Sequence, residues 1–433
     1  MPAGQTGLDL PALWCMLGYV PMNIRLQVLG LMILVAWLPA GPGWAEGGIP
    51  ERRRNQFQNE PGYVAIPYVF EVPGLGSGYG FLGGMNNLRG SYTDIGGTIF
   101  EGDVSGGAFG LESMHLLPRT LILDVGVALI NRTTFPVYSQ RGMQSGKDEY
   151  TEAELRDMGA VASRLTATFL DRRVEAFLAY YGMRVELAAI RDRDGALITE
   201  AGDAAADWVE TDILGGRLDL TDDYLDPRRG VRVEPSVWWT PPSGDAANFL
   251  YVDLSVTAYL PIGKRSTWAF NYFRSDAHVL EKGETDPERI AAREGLVYGS
   301  GSDEYVDNRV AENTYGSATA LGGLSRLRSY PEGRYRGAHT QFVGTELRWN
   351  VSDDVQPFDW FVAKDIRTAI QVAPFLEIGT VEDHAGDAWS TIRSSYGVGF
   401  RIVTASGLIY RLDLAGGDEG FQPCIFFQYP WEL

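Results

Sequence analysis

Ser395-Tyr-Gly-Val-Gly-Phe-Arg-Ile-Val-Thr404, with Leu408-Ile-Tyr-Arg-Leu-Asp-Leu-Ala415 close behind it, is the stretch that decides the fold. In the first segment Tyr396, Val398, Phe400 and Ile402 share one face, and Gly397, Gly399 and Arg401 share the other. In the second, Leu408, Tyr410, Leu412 and Leu414 alternate with Ile409, Arg411, Asp413 and Ala415. Upstream, Val372, Pro374, Leu376 and Ile378 alternate with Gln371, Ala373, Phe375, Glu377 and Gly379. A period of two is the signature of a strand whose faces meet different surroundings. Here one face is aromatic and aliphatic throughout, while the other collects Arg, Asp, Glu and Gly. That polarity suits a barrel with lipid outside and a wet lumen inside.

The same pattern places strands near 63–72, 77–88, 92–102, 106–116, 120–130, 161–170, 173–187, 208–220, 231–240, 249–260, 267–279, 339–350, 366–379, 391–404, 408–416 and 421–430. The expected fold is therefore all-β, a 16-stranded antiparallel transmembrane barrel. Connections sort by parity. Those at 117–119, 171–172, 221–230, 261–266 and 405–407 are short, whereas 131–160, 188–207 and 280–338 are long, as in outer-membrane barrels with short periplasmic turns and long extracellular loops. The connection 351–365 is an exception, a long turn on the periplasmic side.

The 433 residues carry 37 Lys and Arg against 56 Asp and Glu, a net charge of −19, which leaves no overall basic field for a nucleic acid. Cys15 and Cys424, with His115, His278, His339 and His384 far apart, provide neither metal-site spacing nor a disulfide framework, so no metal or cofactor is expected. The apolar run Leu26–Leu38, followed by Gly43-Trp-Ala45, reads as a signal peptide over 1–45, with Met22 an alternative start to Met1. Cys424 would then be the one cysteine of the mature chain, with a packing role. Residues 46–62, including Glu51-Arg-Arg-Arg54, read as a short periplasmic linker, and 63–433 as the barrel.

Three local signatures in order resemble the barrel of the bacterial surface antigen superfamily, which includes the outer-membrane protein assembly factor and the two-partner-secretion transporters. Asp219-Leu-Thr-Asp222-Asp223-Tyr-Leu-Asp226-Pro227-Arg-Arg-Gly230 is similar to the family's Asp-x-x-Asp-Asn-x-x-x-Pro-x-x-Gly turn, with Asp223 in place of Asn. Leu321-Gly-Gly323 and Leu327-Arg328-Ser329-Tyr330 resemble its long-loop motif, with Ser329 where Gly is usual. Gly397-Val-Gly-Phe-Arg401 and Leu408-Ile-Tyr-Arg411-Leu-Asp413 resemble its last hairpins. The resemblance implies that the sixth extracellular loop folds into the lumen, and that Arg328, beside Tyr330, pairs there with Glu346 and Glu377. The alternation independently turns Glu346 and Glu377 inward, along with the lumen charges Arg348, Arg401, Arg411 and Asp413. An arginine fork can bridge two carboxylates, which a lysine cannot do with the same geometry. The competing reading is that these are ordinary solvated lumen charges.

Other signals have plainer explanations. Gly74-Leu-Gly-Ser-Gly-Tyr-Gly80 lacks the helix of a dinucleotide loop and reads as a tight hairpin. Asp192-Arg-Asp-Gly195 lacks the acids of a calcium loop and reads as a solvated turn. The acids Asp303, Glu304, Asp307 and Glu312 read as a solvated face, and the run through Glu152, Glu154, Arg156 and Asp157 as a short surface helix. No hydrolase elbow, zinc-protease motif or phosphate loop is present, so an enzyme is not expected. The resemblance implies protein or lipid insertion or translocation across the Gram-negative outer membrane. The Gly- and Pro-rich end of strand one and Pro423 in the last strand would weaken the seam between them. Family members that receive clients carry polypeptide-transport-associated domains ahead of the barrel, which this reading does not find. The alternative is a passive pore or structural surface antigen without client handling. Expected partners are outer-membrane lipid and lipopolysaccharide, with a periplasmic accessory protein as the source of client recognition.

Overall fold

The computed structural model describes residues 56–57 and 61–431, apart from 139, 201–206, 243–245, 302, 354–357, 361–362, 367 and 405–408. The signal peptide and most of the linker lie outside the described residues.

Sixteen long strands form the barrel wall: β1 Gly62–Val72, β2 Gly76–Asn86, β3 Asp94–Gly102, β4 Ser105–Leu117, β5 Leu121–Tyr138, β6 Tyr150–Phe169, β7 Val174–Asp192 and β8 Asp207–Asp219 in the first half. The second half comprises β9 Gly230–Thr240, β10 Asn248–Ile262, β11 Ser266–Glu281, β12 His339–Asp353, β13 Thr368–Glu382, β14 Arg393–Thr404, β15 Ile409–Gly417 and β16 Gly420–Phe427. Each pairs antiparallel with the next, and β1 meets β16 to close the sheet. Among the described residues, three further short strands, Leu197–Glu200, Phe358–Trp360 and Ala363–Ile366, lie in connections.

The expected faces are present. Tyr396, Phe400 and Ile402 are exposed on β14 and Leu376 on β13, whereas Arg401, Glu377 and Asp413 are buried on the opposite face. Apolar side chains on the exposed face of a closed sheet satisfy lipid, because strand pairing along the wall meets the needs of most of its backbone donors.

Two expectations about the long connections are corrected. The loop expected at 131–160 is mostly strand, because β5, β6 and β7 continue past the expected boundaries and stay paired, Tyr138 opposite Tyr150 and Thr151 opposite Asp192. The surface helix expected around Glu152–Asp157 is part of β6. Its charges belong to one face of a strand: Glu154 pairs with Arg191 at 2.8 Å and Arg156 with Glu186 at 2.9 Å. The other face supplies Ala153, which joins Val137, Leu187 and Ile190 in a separate apolar cluster. Helices α1 Pro287–Arg293 and α2 Asp303–Tyr315, from the β11–β12 connection, cap that cluster with Ile290, Ala291 and Val306. The strand extensions thus have a small core of their own, which a reading by membrane thickness leaves out.

The remaining corrections are local. The last strand ends at Phe427 rather than 430, because Gln428 takes φ +83° and turns the chain; Tyr429 and Trp431 are then buried. The long turn after β12 contains the short strands Phe358–Trp360 and Ala363–Ile366, and the second of these pairs with Tyr63 and Val64 of β1. The Gly74 hairpin and the Asp192 turn are as expected, the latter closed by the Asp194 and Ala196 amides donating to the Asp192 carboxylate.

Candidate functional site

The β11–β12 connection sends Leu321–Tyr335 onto the buried faces of β12 to β15. Leu321, Leu327, Tyr330 and Tyr335 are fully buried there, packed with Phe273 and Phe342. Arg328 is fully buried as well. Its Nε donates to Glu377 Oε1 at 2.9 Å and its backbone N–H to Glu377 Oε2 at 3.0 Å. Nη1 donates to Asp413 Oδ2 at 2.9 Å, and Nη2 reaches Glu346 Oε2 at 3.4 Å. The guanidinium carbon Cζ lies 3.5 Å from the Phe375 ring centre. One arginine therefore ties the loop to three strands.

The other inward arginines complete the cluster. Arg401 forks onto Glu346 at 2.6 and 2.5 Å, Arg348 Nε adds a bond to Glu346 at 2.8 Å, and Arg411 pairs with Asp413 at 2.6 Å. Arg411 also donates to the Leu324 carbonyl of the loop. Four guanidinium groups thus surround three carboxylates. Buried charges persist only when paired in this way, since each would otherwise lose its hydration without return. Gly399 lies opposite Asp413 in the ladder, and a Cβ there would collide with the Asp413 carboxylate, so the bare backbone makes room for the cluster.

The expected pairing of Arg328 with Glu346 and Glu377 is thus brought together. The direct contact to Asp413 was missed, although its inward face was legible. Ser329 does not take the left-handed conformation a motif Gly would supply; Leu327, with φ +54°, does so instead. Ser329 N–H donates to Ser395 Oγ at 3.0 Å, and Tyr330 Oη donates to the Ser394 carbonyl at 3.1 Å.

At the opposite end, the residues Asp219 to Gly230 form the β8–β9 turn. Asp222 accepts the Arg228 and Arg229 amides at 2.8 and 2.9 Å, and Asp223 accepts those of Leu225 and Asp226 at 3.0 and 2.9 Å. Buried Asp219 accepts from Thr221 N–H and from Arg232. Gly230 has φ +110°, and a Cβ there would meet Thr221 Cα at 2.7 Å. The spacing is therefore that of a self-capped turn. Pro227 lies in the turn, outside the strands, where its missing N–H costs no ladder bond. The turn also holds Tyr224 beneath Arg172, 3.8 Å from its ring centre, and Asp226 accepts from Tyr429 Oη at 3.0 Å. Tyr429 in turn lies under Arg348 at 4.0 Å. The two sequence motifs are joined through the end of the chain, a connection that no local pattern signals.

The other side of the barrel interior is hollow. A cavity of about 1020 Å³ lies against the inward faces of β2 to β7, where Gly84, Gly96, Gly110 and Gly126 stand side by side in the ladder. Phe57, ahead of β1, is buried at the end of the wall between His115, Arg119 and Arg172.

The seam differs from every other strand pair. Whereas β1 and β2 are in register from Gly62–Asn86 to Val72–Gly76, β1 and β16 share only the pair Glu71–Ile425.

A model described as the Omp85 superfamily domain matches residues 132–416, about two thirds of the chain. The protein belongs to the Omp85 superfamily. As an Omp85 barrel it resides in the Gram-negative outer membrane and crosses it with its strands. No curated protein matches it. Among solved structures, CdiB from Escherichia coli is similar at 12% identity with a TM-score of 0.50, over 85% of this chain and 62% of that one. BamA from Haemophilus ducreyi lacking POTRA domains 1–3 gives 11% identity and a TM-score of 0.46, over 85% and 69% of the two chains. CdiB from Acinetobacter baumannii gives 10% and 0.46, over 85% and 59%. The Omp85 barrel thus spans less than two thirds of either CdiB chain, and at these identities the likeness is one of fold.

Proposed function

We propose that this Omp85 barrel inserts or translocates protein, or lipid, at the outer membrane by opening the seam between β1 and β16, without enzymatic chemistry. The observation that carries the proposal is the single Glu71–Ile425 register pair at a junction where other strands pair along most of their length. Each missing ladder bond removes roughly 0.5–1.5 kcal/mol of net stabilisation, so this edge is the least costly place to part the wall. Beyond Tyr63 and Val64, which pair with Lys364 and Ala363, the parted edges of β1 and β16 would offer backbone donors and acceptors to an incoming strand. The Arg328 cluster acts as a lock on the long loop, holding one half of the lumen filled while the seam works. Lipid and lipopolysaccharide surround the barrel, and a periplasmic accessory protein supplies client recognition.

The cavity along β2 to β7 supports a second reading, a passive pore. A deletion strain distinguishes the two. Selective loss of particular surface proteins or lipids, restored by the gene, is expected for insertion or translocation. An unchanged surface composition with altered permeability would overturn it in favour of the pore.

A further inference from the structure

Apart from the Arg328 cluster and the lumen cavity, a smaller cavity of about 130 Å³ lies where α2, β5 and the end of the long loop meet. Arg141, Arg309, Arg336 and Ser317 line it, with Glu312 the carboxylate among them. Two of the arginines are already neutralised. Arg141 forks onto Asp383 at 2.8–3.1 Å and donates to the Gly316 carbonyl, and Arg309 pairs with Glu312 at 3.1 Å.

Arg336 is different. Its Nε donates to the Gly333 carbonyl at 3.2 Å, but its two terminal nitrogens have no partner among the described residues. The Ser317 hydroxyl, on the same cavity, likewise has none among them. Burial and the nearby Arg141 guanidinium push the Arg336 side chain below its usual value, against the pull of Glu312 and Glu332. Neither acid lies within ion-pair distance. Glu332 instead accepts the Leu324 amide at 2.9 Å. The site thus carries two closed ion pairs and one surplus positive charge, facing a half-open cavity. Terminal nitrogens that face such a cavity without a protein acceptor are free to pair with an incoming anion.

We propose that this cavity binds a phosphoryl group, held by the terminal nitrogens of Arg336 with the Ser317 hydroxyl as a further donor. A guanidinium presents two parallel donors that match two oxygens of a tetrahedral anion, and a hydroxyl can meet a third. The volume holds roughly four water-sized groups, enough for phosphorus and its oxygens. The long connections of such a barrel face outward, so the phosphoryl group comes from a lipid headgroup or from free phosphate.

The test is calorimetric titration of the full chain in a neutral maltoside detergent, with inorganic phosphate in one arm and micelle-dispersed phosphatidic acid in the other, at constant ionic strength. At least one probe should bind, with affinity at least tenfold weaker in Arg336→Gln and intermediate in Arg336→Lys. Binding of phosphatidic acid alone supports the site and assigns it to lipid; binding of inorganic phosphate supports a soluble source. Ser317→Ala, which removes one hydroxyl and no charge, should weaken binding several-fold and keeps the test decisive if Arg336→Gln fails to fold. The proposal is overturned if the parent protein binds neither probe, or if the variants bind as the parent does.

Discussion

Trp431 donates its indole N–H to Glu377 Oε1 at 3.1 Å, the same oxygen that accepts from Arg328 Nε at 2.9 Å. The end of the chain, just past the last strand of the seam, is therefore bonded into the cluster that holds the long loop. Tyr429, two residues earlier, reaches Asp226 in the β8–β9 turn. Loop, seam strand and turn meet within one buried network, and a change at one end has a physical route to the others.

Arg328→Ala leaves Glu377 and Asp413 buried with a partner missing, a loss of about 3–5 kcal/mol. The variant should show a lower temperature of heat-induced gel retardation and faster protease cleavage within 282–338. Arg328→Lys should fall between it and the parent, since an ammonium keeps the charge but not the fork. Unchanged cleavage in Arg328→Ala would remove the lock from the account.

Trp431→Phe retains ring packing against Phe342 but loses the bond to Glu377, a cost of about 0.5–1.5 kcal/mol. Trp431→Ala empties a fully buried site and should cost about 3–5 kcal/mol. If the tail helps hold the loop, both variants raise protease cleavage of the loop in that order. Cleavage equal to the parent in Trp431→Ala would show that the tail and the loop act separately.

Gly230→Ala places a Cβ against Thr221 where φ is +110°, and the strain should cost about 1–3 kcal/mol. The expected readout is slower refolding into detergent with a lowered unfolding midpoint in denaturant. A midpoint equal to the parent would mean that the turn relaxes around the substitution.

Much of this was legible because the alternation along β13, β14 and β15 is strict. It puts Glu377, Arg401, Arg411 and Asp413 each on the inward face of its strand, and register brings them together. The strand extensions of β5 to β7 were not legible by the same rule. Their outer ends answer to Ile290 and Val306, far along the chain, rather than to lipid, and charges such as Glu154 and Arg156 there resemble a surface helix when read locally. The inward turn at Gln428 was hidden for a related reason: Tyr429 and Trp431 look like more of an aromatic strand until their buried polar partners are seen.

The seam is tested most directly by a cysteine pair at Glu71 and Ile425, made in a Cys424→Ala background and returned to the deletion strain. With the pair reduced, the account predicts that surface composition is restored as by the parent gene. With the pair oxidised, restoration should fail although the barrel is folded and present at the same level. Equal restoration with the seam covalently closed would contradict the claim that the barrel works by parting β1 from β16.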